Sequence, residues 1–269
     1  PIISDSEYDK LLEKLEKLEE DNPDLITKDS PTQRIGSIPL DNFNTIKHRV
    51  PMQSLANAMN VDELEDFNFQ ILKILNEKDN IEYIAEPKLD GLAVELVYES
   101  GKFIYGSTRG DGINGEDITN NLKTIQGIPL SINSRNIPSL LEIRGEVFIN
   151  HNDFKKLNDK RKKNGESIFA NPRNCAAGSL RQLNPKITSK RPLRIYCYAP
   201  GIIQGINFLS QSEFLKQLPN WGFPVNPHIK VGKGIQFIRK FYHNAETLRN
   251  KLSYDIDGVV FKVNSYNSQ

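Results

Sequence analysis

The chain has 269 residues, 38% of them hydrophobic and 26% charged, with 35 basic side chains against 34 acidic ones and a net charge of +1. That length buries a substantial core without a disulfide or metal staple, and the composition is ordinary for a soluble globular protein. So even a charge balance argues against a surface given over to wrapping nucleic acid, no apolar run approaches the ~20 residues of a membrane span, and Pro1 to Asp5 lack the basic-then-apolar order of a signal peptide.

Ser4 and Glu7 form a capping-box pattern ahead of Tyr8, Leu11, Leu12, Leu15 and Leu18, which fall on one helical stripe, with Pro23 just beyond its end. Residues 27 to 53, carrying Pro31, Gly36, Pro39 and Pro51, read as an extended connector. A second helix is predicted from Val61 to Leu75, with Leu64, Phe67, Ile71, Ile74 and Leu75 on its apolar side. From Ile81 the period changes: Leu92, Val94, Leu96 and Tyr98 alternate as in a strand, and Ser100-Gly101 turns the chain into a second strand at Lys102 to Tyr105. Strands follow at Leu140 to Ile149, Leu193 to Tyr198 and Asp257 to Val263. Helices are predicted at Asp153 to Lys163, Asn174 to Leu183, Ser210 (paired with Glu213 in a second capping box) to Leu218, and Gly234 to Leu252. Hairpin-joined strands with helices packed around them predict an α+β fold behind a small helical N-terminal piece. Cys175 and Cys197 are too widely spaced for a CxxC pair and read as buried, reduced thiols of a cytoplasmic protein. A chain that begins without Met and stops soon after a strand reads as a piece of something longer.

Five segments carry candidate chemistry. In an extended run, Glu86, Lys88 and Asp90 share one face, so an ammonium stands between two carboxylates, with Pro87 marking a strand end or edge and Gly91 a place of close approach. A lysine amine attacks only when neutral, and its ordinary pKa is ~10.4; nearby cations or a metal would favour the neutral form, and the two carboxylates oppose it. A charged strand edge that discourages aggregation accounts for the segment equally well. Ser107-Thr108-Arg109-Gly110-Asp111-Gly112 suits a loop facing a phosphate or ribose, or an ordinary hairpin turn. Glu142, Arg144 and Glu146 share a face, as an ion-pair ladder or with Glu146 offered to a metal or a ribose. Lys262 lies with Val260 on an apolar strand after Asp257-Gly258 and calls for an anionic partner, which a phosphate would supply. Arg173 and Arg181 stand about two helical turns apart, either facing one polyanion or simply solvated.

In order and combination these motifs resemble the bacterial NAD-dependent DNA ligases. Lys88-Leu89-Asp90-Gly91 is similar to the signature that covalent nucleotidyl transferases share, ATP-dependent ligases and capping enzymes included. Thr108 to Gly112, Arg144 to Phe148, Asn171 to Asn174, Ala176 to Leu183, Asp257 to Val260 and Asp5 to Asp9 resemble the NAD-dependent branch.

The resemblance implies a nucleotidyltransferase core, ATP-grasp-like, of antiparallel sheets flanked by helices over residues 43–269, behind a remnant of a nicotinamide-gripping helical domain over residues 1–42. It implies Lys88 as the nucleophile on the NAD α-phosphate, Glu86 on the adenine amino group, Arg109 and Glu146 on the ribose, Lys262 beside the α-phosphate and Tyr198 stacked on adenine. Asp5, Ser6, Glu7, Tyr8 and Asp9, with Ser54 and Leu55, fall at further dinucleotide positions, Asp90 and Asp257 at the active site, and Arg173 and Arg181 at the phosphates of nicked DNA. NAD and Mg²⁺ are implied, and no metal-ligating side chains within the chain, since the family's zinc ligands lie outside it. So do its Tyr-His-Tyr-like nicotinamide grip and its OB-fold, helix-hairpin-helix and BRCT modules. A cytoplasmic monomer that binds adenine nucleotide, reacts poorly with NAD and does not seal nicks unaided is the resulting expectation. The alternatives are an RNA ligase or capping-type enzyme using ATP or GTP, and an inert nucleotide-binding fragment.

Overall fold

Alternation in the sequence resolves into three antiparallel sheets in the computed structural model, which describes residues 5–27, 29–34, 42–77 and 81–269 and, within these, no side chains of residues 5–9, 33 and 34. In chain order the strands are β1 (Thr45–Lys47), β2 (Glu82–Leu89), β3 (Leu92–Glu99), β4 (Lys102–Thr108), β5 (Asn114–Glu116), β6 (Leu140–Ile149), β7 (Leu193–Gln204), β8 (Lys230–Lys233) and β9 (Ile256–Val263). The helices are α1 (Asp5–Asp21), α2 (Val61–Leu75), α3 (Thr119–Leu122), α4 (His151–Lys163), α5 (Pro172–Leu180), α6 (Pro185–Thr188), α7 (Gln211–Gln217) and α8 (Gly234–Arg249). The sheets run β4-β3-β6-β7, β8-β2-β9 and β1-β5. Helices around antiparallel sheets are the expected α+β nucleotidyltransferase architecture.

The largest sheet is two-faced because strand side chains alternate. Val94, Leu96 and Tyr98 of β3 and Leu141, Ile143 and Val147 of β6 enter the main core with Leu122, Phe214 and Trp221. The opposite face carries Glu95 across from Arg144, and Glu142 and Glu146 on the same strand. In the three-stranded sheet, Tyr83 packs against α2 and α8 through Leu64 and Ile238. On its other face Ile84 stands opposite Lys262, Glu86 opposite Val260 and Lys88 opposite Gly258. The polar halves of these two sheets border one cleft.

Local chemistry sets the ends of these elements. Asn60 caps α2 by accepting from Glu63 N at 2.9 Å, and Asn76 closes it in the left-handed region. Ser210 caps α7 as its spacing with Glu213 predicts, accepting from Glu213 N at 3.2 Å. The helix predicted from Asn174 to Leu183 starts earlier, because Pro172 suits the first helical position and Asn171 accepts from Asn174 N at 2.8 Å. It also ends at Leu180, leaving Arg181 as the cap.

Other expectations are corrected. The connector holds a strand, β1, joined to β5 from Thr45–Glu116 to Lys47–Asn114. The strand predicted at Leu193 to Tyr198 continues to Gln204, alongside Leu140 at its far end. The helix predicted to reach Leu252 stops at Arg249. Ile74, placed on the apolar side of α2, is exposed, as are Leu11 and Leu18 of the α1 stripe. The Ser4–Glu7 capping box lies outside the described residues. No described helix is long and apolar enough to cross a membrane, and Cys175 and Cys197 are buried free thiols.

Candidate functional site

Between the two larger sheets lies a cleft of about 1060 Å³. Among the described residues, Lys88, Arg109, Arg144, Arg173, Arg181 and Lys262 line it against three carboxylates, Glu86, Glu116 and Glu146. Ser54, Leu55 and Tyr198 also line it, so ten of the site residues that the resemblance implies converge here from distant strands and loops. Asp90 and Asp257 join through ion pairs to Arg173 and Lys88. The side chains of Asp5, Ser6, Glu7, Tyr8 and Asp9 lie outside those described.

The arrangement around Lys88 differs from an ammonium clasped by its two sequence neighbours. Glu86 and Lys88 do alternate onto one side, but Asp90 lies beyond the strand's end at Leu89, past a register shift between Lys88 and Leu89, and each carboxylate is taken elsewhere. Glu86 pairs with Lys262, Asp90 accepts from Arg173 Nη1 at 3.0 Å, and Lys88 Nζ donates to Asp257 Oδ2 at 3.1 Å. Lys88 is half-exposed, its side chain 41% accessible, so it is open to a ligand in the cleft. β2 is central only as far as Ala85; beyond it β8 no longer pairs, so Pro87 sits near the strand's end with one side open, as the proline predicts. Gly91 is required by backbone, since a Cβ there would lie 2.2 Å from Val147 O.

Lys262 finds its anionic partner inside the protein. Besides Glu86, its Nζ donates to Tyr198 O at 3.3 Å and sits 5.4 Å from the centroid of the Tyr198 ring. Burial pushes the Tyr198 phenol up, so the ring enters the cleft un-ionised. Glu86 Oε2 is buried with no hydrogen-bond partner, an acceptor that a bound N–H would satisfy.

Glu142, Arg144 and Glu146 form no ladder. Glu142 accepts from Arg49 at 2.7 Å, and Arg144 donates to Val50 O at 2.7 Å. Burial raises the Glu146 carboxyl to about 7, against the pull of the Gly91 N–H and of Lys88 and Arg173. A carboxyl raised in the folded state holds a proton that the unfolded chain has lost, so stability falls as pH climbs from about 4.5 through 7. Glu146→Gln is therefore expected to melt a few degrees above the parent at pH 8 and to lose that margin by pH 4.5. Thermal unfolding at both pH values checks this, and equal melting at pH 8 would contradict it.

Arg109 follows β4 into a tight turn in which Gly110 and Gly112 have positive φ. Its guanidinium donates to Met52 O at 3.2 Å and to Ser54 Oγ at 2.7 Å. This is a hairpin turn and a cleft wall at once. Arg173 and Arg181 also reach the cleft, from the two ends of α5, with Arg181 donating to Glu116 at 2.6 Å. Sequence reasoning missed the Asp257, Arg173 and Glu116 pairings, and it missed Arg144 as a wall of the cleft. Alternation alone names a face, and nothing in it names a partner more than 60 residues away.

Comparison with known proteins shows the family. Residues 40–269 match the family of the NAD-dependent DNA ligase adenylation domain, and residues 1–36 match the DNA ligase-like, N-terminal NAD⁺-binding domain. The chain is 54% identical over 271 residues to a DNA ligase of Geotalea daltonii, covering 100% of this chain and 40% of that protein. It is 51% identical over 268 residues to one of Geobacter sulfurreducens, covering 99% and 40%, and 47% identical over 270 residues to one of Saccharophagus degradans, covering 100% and 40%. The chain thus spans about 40% of the length of the curated relatives it matches.

Proposed function

The chain belongs to the NAD-dependent DNA ligase adenylation-domain family, and on that premise we propose that it captures an adenylyl group from NAD on Lys88, for transfer to the 5′-phosphate of nicked DNA in replication and repair. The observation that carries the reading is the placement of Lys88 in one cation-rich cleft with Glu146 and Lys262. Nζ of Lys88, once neutral, forms the bond to the α-phosphorus of NAD. The bond from that phosphorus to the bridging oxygen breaks, and nicotinamide mononucleotide leaves with the electron pair. The amine's proton already faces Asp257, whose carboxylate is open to water.

The remaining roles follow from what each side chain offers. Glu86 Oε2, the partnerless acceptor, takes the adenine amino group, and the un-ionised Tyr198 ring stacks on the base. Arg109 and Glu146 hold the ribose. Lys262 gives the α-phosphate a positive charge that strengthens as charge builds on phosphorus. Ser54 and Leu55 wall the same cleft, and Asp5, Ser6, Glu7, Tyr8 and Asp9 contribute to dinucleotide binding by family likeness. Arg173 and Arg181, both exposed at the cleft, meet the DNA phosphates. The division into residues 1–42 and 43–269 belongs to this proposal as well.

Mg²⁺ belongs to it too. Among the described residues no group of three or more His, Cys, Asp and Glu side chains could hold an ion unaided. Mg²⁺ instead keeps most of its waters and takes one or two carboxylates together with substrate phosphates, a role that Asp257 beside Lys88 and Glu146 in the cleft fit. When bound, it would neutralise phosphate charge.

The test offers the chain NAD and ATP, each labelled in the adenylate, with Mg²⁺. Label is expected on Lys88 from NAD and not from ATP. Uptake from ATP alone would move the protein to the ATP-dependent enzymes, and a nucleotide-dependent melting shift with no covalent label would make it a binding module.

A further inference from the structure

One short segment grips Arg109 twice. Met52 and Ser54 hold its guanidinium, and His48 Nε2 lies 3.1 Å from its backbone carbonyl. That carbonyl also accepts from Gly112 N at 3.0 Å, so both of its lone pairs are used. His48 is fully buried, with Nδ1 2.8 Å from Glu95 Oε2. A carbonyl can only accept, so Nε2 carries a hydrogen, and Nδ1 meets Glu95 through one shared proton. Arg144 from β6 stands 3.6 Å from the other Glu95 oxygen. On β5, Gly115 faces the ring, and an added Cβ there would come within 3.2 Å of Nε2. Neither His48 nor Glu95 lines the cleft. A buried pair of titratable groups is a weak source of stability, so its place beneath the Arg109 turn calls for another reason.

We propose that His48, with Glu95, is a positioning pair that fixes the Arg109 turn and so sets the direction in which the guanidinium enters the cleft. The pair ties β3, a central strand of the large sheet, to a turn whose tip Asp111 holds through the Ile113 and Asn114 N–H groups, while His48 holds its base at the Arg109 carbonyl. The inference rests on the reading of Arg109 as a ribose contact. His48 touches no substrate; its effect passes through Arg109.

A mutant cycle tests this, with AMP affinity read by calorimetry and the limiting rate of adenylation read at saturating NAD. His48→Gln is expected to weaken AMP binding about tenfold, the scale of losing one charge-assisted hydrogen bond, with the limiting rate within about threefold of the parent. In the Arg109→Ala background the same change is expected to add almost nothing, because both act on one contact. The double variant His48→Gln/Glu95→Gln removes both partners of the pair, so it keeps the cycle readable if Glu95, left with Arg144 alone, unfolds the single variant. Additive losses in the two backgrounds, or a fall in melting temperature and limiting rate with AMP affinity kept, would overturn the proposal, as would failure of both variants to fold. If Arg109→Ala leaves AMP affinity unchanged, the ribose reading of Arg109 fails. A loss on His48→Gln limited to the parent background with Arg109→Ala also weak supports both.

Discussion

Lys88→Arg forms no adenylated protein, even after long incubation with NAD and Mg²⁺, while its melting temperature stays close to the parent. Arginine keeps the positive charge and can reach Asp257, which stands 3.1 Å from the Lys88 ammonium at the rim of the cleft. Electrostatics and fold are therefore nearly preserved. Nucleophilicity is not, because a guanidinium stays protonated at any working pH. Intact mass and melting curves together check this. Adenylation of the variant at a rate comparable with the parent would mean that another group attacks phosphorus.

The second large effect is expected at Lys262. Lys262→Met should slow adenylation by about 10²–10³, the usual cost of removing one preorganised charge from a phosphoryl-transfer site. The substitution also leaves Glu86 buried without its cation, and one Glu86 oxygen already lacks a partner. A loss of stability could therefore masquerade as a loss of catalysis. Lys262→Met/Glu86→Gln separates the two when its rate is read at saturating NAD against Glu86→Gln alone, because Glu86 also faces the adenine. The added change neutralises the stranded carboxylate and is expected to return most of the melting temperature without restoring the rate. A double variant as fast as Glu86→Gln would show that Lys262 serves the fold and not the phosphate.

Much of this site was legible because a strand converts spacing into direction. Glu86 and Lys88 at period two on β2, and Lys262 on the neighbouring β9, point the same way by geometry alone. The Ser210 cap and the bounds of α2 were readable for a similar reason: they depend on contacts within a few residues. What was hidden is long-range. Lys88 and Asp257 are 169 residues apart, and Arg173 and Asp90 are 83 apart. Spacing placed Asp90 beside Lys88, and only the fold reveals that an arginine from α5 has taken it. The strands β1 and β5 span three residues each, too short for any period to show. His48 went unmentioned for the same reason, since its meaning comes from Glu95 and the carbonyl of Arg109.

Everything turns on whether the amine of Lys88 forms a bond to phosphorus. The most direct measurement is the mass of the intact chain after exposure to NAD and Mg²⁺, followed by mapping of any added mass along the chain. The expected result is an increase equal to one adenylyl group, located on Lys88 and removed by an excess of nicotinamide mononucleotide, which runs the transfer backwards. Unchanged mass, with NAD shown to be bound, or an adenylyl group on any other residue, would contradict it.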